Sequence, residues 1–260
     1  MKNIIKTSLL VFALLNLTYL TFSQKVDSTK SIHHFSGSAS ITNNGISLVP
    51  SFSLAKPAVV FLLSFGGNRF SIDPDIRFGL DGKPWTFLFW ARYKLITQGR
   101  LRLNTGVHLG LNFRTSLLPV NSVPTESIVV RRYLAGELAP NYFITKNISI
   151  GTYYLYARGV DNGTIRNGHF LTINANFSHL PISQSFYLRL NPQVFYLYQD
   201  GKEGYYGTAL LALANNNFPL SVSYLINKKF RSDIAGKDFI SSLSLIYSFR
   251  RNYVPKSPVL

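Results

Sequence analysis

The sequence predicts an all-β fold: a transmembrane antiparallel β-barrel of about twelve strands, with ten as the alternative count. Three observations predict it. There are long stretches with a strict period of two, a basic-then-apolar leader, and a shortage of charge beside an excess of aromatic rings. The clearest stretch runs from Arg100 to Arg114. Its even positions are Arg100, Arg102, Asn104, Gly106, His108, Gly110, Asn112 and Arg114. Its odd positions are Leu101, Leu103, Val107, Leu109, Leu111 and Phe113, with Thr105 the exception. Successive side chains of a strand point to opposite faces, so this segment has one oily face and one wet face. It is longer than an ordinary soluble strand, and its wet face is too cationic for a core.

The leader comes next. Lys2 and Lys6 form a basic start, residues 8–20 an apolar core, and Thr21 and Ser23 the small residues before a signal-peptidase cut. Cleavage is expected between Ser23 and Gln24. The apolar run is short for a membrane anchor. The expected organisation is a signal peptide at 1–23, a periplasmic lead at 24–44, a barrel at 45–250 and a basic periplasmic tail at 251–260. There is no cysteine, which excludes a lipid-modified cysteine, a disulfide framework and a thiolate metal site.

Charged residues make up 15% of the chain and aromatics 14%. A soluble protein carries about 25% charged residues. Lipid-facing strands explain the deficit, and interfacial girdles of Tyr and Phe explain the excess. The formal net charge is +16. Basicity spread along amphipathic strands argues for a cationic lumen beside anionic lipopolysaccharide, and against nucleic-acid binding.

Strands are predicted at 46–54, 58–66, 69–80, 85–96, 100–114, 127–144, 147–158, 166–178, 185–199, 204–214, 218–227 and 238–249. Tight turns follow every second one: Gly66-Gly67-Asn68, Thr97-Gln98-Gly99, Thr145-Lys146, 180–184 and Asn215-Asn216-Asn217. The connections at 115–126, 159–165 and 228–237 are longer, whereas Ala55-Lys56-Pro57 is short. Short turns on one side and longer loops on the other orient such barrels with the turns facing the periplasm, so both termini are expected there. Pro50, Pro74, Pro140 and Pro192 fall inside predicted strands, where a closed sheet tolerates proline only at irregularities. Leu243, Leu245, Tyr247 and Phe249 alternate outward. This resembles the terminal signal read by barrel-assembly machinery, an expected partner during biogenesis.

Thr42-Asn43-Asn44-Gly45-Ile46-Ser47, Asp81-Gly82-Lys83-Pro84-Trp85, Trp90 with Arg92-Tyr93-Lys94, and Phe22-Ser23-Gln24 together resemble uncharacterised outer-membrane β-barrel proteins of Bacteroidota. The likeness covers the first third of the chain. It implies a fold and an outer-membrane location, and no chemistry.

Parity sorts the charges. Arg69, Ser71, Asp73, Asp75 and Arg77 share one face, opposite Phe70, Ile72, Ile76 and Phe78. Arg92 and Lys94 share a face, as do Arg131, Glu137 and Asn141, and Tyr187, Arg189, Asn191 and Gln193. Ser221, Ser223, Ser242, Ser244 and Ser248 form a neutral wall opposite. Arg69, Arg92, Lys94, Arg100 and Arg102 are expected near the periplasmic mouth, with Arg77, Arg114 and Arg131 higher. Rings of Arg and Lys line anion pores. The leading reading is therefore a passive, porin-like channel for small anionic solutes. The rival is a closed barrel, docked to an unknown partner, in which Asp73, Asp75 and Glu137 pair with the arginines.

A lipid-modifying enzyme is a minor alternative needing a Ser–His pair at the outer leaflet. His33 and His34 are expected in the lead segment, His108 in the lumen, and His169 facing lipid among tyrosines. His179 and Ser178, adjacent on a strand, face opposite ways. No catalytic residue, metal site or cofactor is predicted. Tyr153, Tyr154, Tyr156, Tyr196, Tyr198, Tyr205, Tyr206 and Trp85 are expected in an interfacial belt; the alternative is a sugar-stacking platform built from the inward Tyr153, Tyr187 and Tyr205.

Overall fold

The computed structural model describes residues 33–120 and 123–254. The expected leader at 1–23, the start of the lead segment and the end of the tail lie outside them. The strands are β1 His33–Thr42, β2 Ala58–Gly66, β3 Phe70–Gly79, β4 Pro84–Ile96, β5 Leu101–Val120 and β6 Val123–Phe143. They continue as β7 Ile148–Gly159, β8 Gly168–Pro181, β9 Phe186–Gln199, β10 Lys202–Asn215, β11 Leu220–Ser232 and β12 Phe239–Tyr253. Each pairs with its neighbours in sequence, and β1 closes antiparallel on β12, giving a closed barrel of twelve strands. Closure leaves no edge within the wall.

The outer wall is apolar. Phe61, Ile72, Phe89, Val107, Leu134, Ile173, Val194, Val222 and Leu245 are each 37–63% exposed. Water-facing monomers rarely expose an apolar patch larger than a few hundred Å². A band that recurs around the wall is the lipid-facing surface of a membrane barrel. Among the described residues no helix is long and apolar enough to cross a membrane. Aromatic rings mark the two rims. Phe35 stacks on Phe65 at one, and Tyr154, Tyr156 and Tyr198 surround His169 at the other.

The first strand corrects the sequence reading. The strand expected at 46–54 is an inward-folded loop whose only regular piece is a 3-10 turn at Pro50–Phe52. The true β1 lies in what reads as a lead segment, so the barrel begins at His33 rather than at 45. The total of twelve survives because one error cancels the other. The alternation of Ile46, Leu48, Phe52 and Leu54 is real, but it reflects a loop with one side packed on the barrel interior. In β1 the outward positions include Gly37 and Ala39 and the inward ones are serines, so its hydrophobic contrast is weak. Gly37 is required where it stands, because a Cβ there would meet the Leu62 carbonyl oxygen at 2.4 Å. At the other end β12 runs to Tyr253, into the expected tail.

The stretch 115–126, expected as a loop, continues β5 and β6 as a two-stranded ribbon paired to Val120↔Val123. On its flanks β4 stops pairing at Asn112 and β7 at Tyr133, so the ribbon stands beyond the wall. Pro119 faces Pro124 there, where neither needs to donate outward. Pro74, Pro140 and Pro192 each coincide with a lapse in pairing on one side: between Leu62↔Asp75 and Phe65↔Ile72, between Leu138↔Tyr154 and Asn141↔Gly151, and between Asn174↔Gln193 and Phe177↔Leu190.

Candidate functional site

The lumen has three levels between its two ends. The ends are the loop end, carrying 43–57, 160–167 and 233–238, and the short-turn end, carrying 67–69, 97–100, 144–147, 182–185 and 216–219.

At the loop end, loop 43–57 folds into the barrel and plugs it. It closes on itself, with Gly45 N–H donating to Lys56 and Leu54 N–H donating to Gly45. The wall then grips it from several sides. Trp85 Nε1 donates to the Phe52 carbonyl at 2.7 Å, and the Arg77 guanidinium lies 5.2 Å from the Trp85 ring centre. Arg114 donates to the carbonyls of Ser53 and Ser51, and Gln199 Nε2 donates to Ser51 Oγ. Phe52 meets Tyr133 edge-on at 5.1 Å. Leu48 and Val49 pack on a cluster of Phe170, Phe195, Leu197, Tyr206 and Ile234. Above the plug, Arg114, Arg131, Lys202 and Asp200 line a recess of about 360 Å³. Two belt residues are corrected here: Trp85 and Tyr206 are 1% and 2% exposed and belong to the plug's seat. Tyr205 faces outward against Tyr196, beside a bulge at Tyr205/Tyr206, whereas Tyr153 does face inward.

In the middle, the lumen acids and arginines form a brace. Arg92, Gly106 and Glu137 share one rung across β4, β5 and β6. Because Gly106 has no side chain, Arg92 reaches past it and donates to Glu137 at 2.7 Å. Arg92 also donates to Asp73 at 3.1 Å, and Ser64 Oγ donates to Asp73 at 2.6 Å. His34 Nε2 meets Ser64 Oγ at 2.9 Å, which places His34 in the barrel wall rather than in a lead segment. Tyr153 donates to Glu137 at 2.8 Å. Arg77 is paired with Asp75 at 2.7 and 2.5 Å. The three lumen acids therefore hold Arg77 and Arg92, and these two are braces as well as wall residues.

At the short-turn end, among the described residues, no acid is bonded to the cations. Lys94 and Arg102, with Asn104 and Asn141, line a recess of about 380 Å³. The Arg102 guanidinium lies 5.9 Å from the Phe143 ring centre, and its Nη1 is buried without a partner. Arg69 and Arg100 sit in the turns at the rim and are exposed. Arg189 donates to Ser221 across the neutral wall at 3.1 Å. Thus Lys94, Arg102, Arg69 and Arg100 share the short-turn mouth, Arg92 lies deeper than expected, and Arg114 and Arg131 lie at the loop end.

The interior is not filled. Leu62 and Leu210 share the inward parity of Ser64 and Thr208, yet they are 45% and 37% exposed. A side chain aimed into a closed barrel is exposed only where the lumen leaves space for water. Both face this space from the serine-lined side.

On the outer wall, His169 Nδ1 and Tyr154 Oη are 2.8 Å apart, with Tyr156 and Tyr198 beside the ring. Inside the short-turn end, Tyr187 shares the inward face of Arg189, and His179 packs on it at 4.2 Å.

No family model matches the chain, and no curated protein matches it. Solved structures do. A KdgM porin in complex with disordered oligogalacturonate superposes with a TM-score of 0.52 at 12% identity, over 83% of this chain and 99% of that one. A second KdgM porin structure gives 0.51 at 12% identity, over 83% and 99%. OmpT of Vibrio cholerae gives 0.45 at 10% identity, over 87% and 100%. At these identities the likeness is one of fold: a closed antiparallel barrel of the kind that spans outer membranes.

Proposed function

We propose that this chain is an integral outer-membrane barrel that passes small anionic solutes, with both termini on the periplasmic side. The exposure of Leu62 and Leu210 carries the reading, because it marks water-accessible space inside a closed wall. Charge supports the sign. Lys94, Arg102, Arg69 and Arg100 surround one mouth, and Arg114, Arg131 and Lys202 outnumber Asp200 on the lining of the recess at the other. Unpaired cations are tolerable only where water or a passing anion solvates them. A KdgM porin in complex with disordered oligogalacturonate is a precedent of similar fold for a barrel that binds an acidic solute. The lipid and lipopolysaccharide of the outer membrane are the surrounding partners, and barrel-assembly machinery is the partner in biogenesis.

The proposal assigns no catalytic role. His169, the histidine at the right height for one, is bonded to a tyrosine hydroxyl. The plug favours one other reading, a closed barrel with the protruding ribbon as its docking element. Liposome swelling separates the two. Gluconate should enter proteoliposomes faster than an uncharged sugar of similar size, and Lys94→Gln with Arg102→Gln should erase that preference without altering folding. Swelling no faster than in protein-free liposomes would remove the channel reading.

A further inference from the structure

Between the plug and the brace lies a cavity of about 330 Å³ with a chemistry unlike that of the two mouths. Its roof is Leu48, Val49 and Phe52 of the plug. Leu88, Trp90, Leu155 and Phe170 supply apolar walls. The charged pair on its lining, Asp75 and Arg77, is bonded to itself through two hydrogen bonds, so the walls carry no net charge. One polar group is left over. His108 lines the cavity, is 9% exposed, and has a buried Nδ1 with no hydrogen-bond partner. Its ring packs against Trp90 at a tilt, the ring centres 4.1 Å apart, and the Arg92 guanidinium covers Trp90 at 4.2 Å, so the imidazole is held in place.

We infer that this cavity is a binding site for a small uncharged aromatic or cyclic alcohol, its hydroxyl on the His108 imidazole and its ring against Trp90 and Leu155. The volume falls at the lower end of small-molecule sites, which are about 300–1,000 Å³, mostly apolar, with a few polar groups that fix orientation. A hydroxyl both donates and accepts, so it satisfies either tautomer of the imidazole. A carboxylate or ammonium would lose its hydration and find the opposite charge already engaged. The site does not require conduction, because the cavity exists whether or not solutes pass along the serine wall.

The chain's two tryptophans make the test direct. Trp90 lines the cavity and Trp85 anchors its roof; they are 6% and 1% exposed, so neither touches lipid. The probe is 6-bromo-2-naphthol, titrated against the full mature chain in lipid nanodiscs, with bromine quenching tryptophan on contact. The expected result is saturable quenching. It weakens about 5- to 10-fold in His108→Leu, the loss of one hydrogen bond. It disappears in Ala157→Phe, which fills the cavity from β7. Should that variant fail to fold, His108→Leu and the acid analogue 6-bromo-2-naphthoate decide the matter. Quenching that is linear and equal in wild type and His108→Leu would overturn the site as mere partitioning into lipid. Tighter binding of the naphthoate would overturn it by showing that Arg77 selects an anion.

Discussion

Gly106 decides whether the brace can exist. A Cβ at that position would lie 2.9 Å from Arg92 Cγ and 3.0 Å from Glu137 Oε1, so any larger residue pushes the two apart. Gly106→Leu should lower the temperature at which the folded barrel loses its compact gel migration. Arg92→Ala should do so more strongly. It leaves Glu137, whose side chain is 3% exposed, as a charge supported only by Tyr153, and breaking a buried pair from one side costs about 3–5 kcal/mol. Adding Glu137→Gln should recover much of that loss, and no recovery would show that the pair is not what Arg92 stabilises. Parity alone assigns Arg92 and Glu137 to the lumen. Which acid meets which arginine depends on register across three strands, and the sequence carries no direct signal of that. Outside the membrane, hydrogen bonds from the side chain and backbone of Arg132 hold Asp161 below the usual carboxylate range. A depressed carboxylate keeps its contact as pH falls through the ordinary value of about 3.9 and releases it only lower. A spin label at Asn162 should show constant mobility from neutral pH to about 5, with a rise only below about 4; a rise near pH 6 would contradict this.

At the scale of elements, the plug loop 43–57 governs access from the loop end. Trp85→Phe removes its bond to Phe52, and Arg114→Ala removes those to Ser51 and Ser53. The double variant should fold, raise conductance several-fold and shift Trp90 emission to the red; unchanged conductance would mean that the path avoids the plug. The β5–β6 ribbon is held at its margin by Lys83 with Glu126 and by Arg132 with Asp161. A two-stranded ribbon is marginal in water by itself. Brief proteolysis should therefore cut within 117–126 and leave a barrel that still migrates as folded. Most of the wall was legible from sequence because one lipid-facing side chain in two leaves a strong period, as in 100–114. The plug looks like a strand in sequence because a loop packed on one side alternates as a strand does. The ribbon looks like a loop because prolines and serines populate strands that have no outer neighbour to satisfy.

The whole molecule is a closed wall with a lopsided interior. Arginines and acids cross-link β3 to β7, and serines with exposed Leu62 and Leu210 line the space opposite. Parity marks the arginines, acids and serines for the lumen, but the sequence reading puts Arg92 at the periplasmic mouth, where the structure has it in the brace. The sequence could not show that Arg77 and Arg92 are tied to acids or that Arg114 holds a plug, because both depend on contacts between distant segments. The division of labour predicts that Lys94 and Arg102 set selectivity while Arg92 sets stability. Single-channel recording of the refolded chain in a planar bilayer under a salt gradient tests this most directly. The account predicts stable conductance with an anion-selective reversal potential, moved toward zero by Lys94→Gln with Arg102→Gln. A cation-selective potential, or a silent bilayer with the folded protein shown to be inserted, would contradict it.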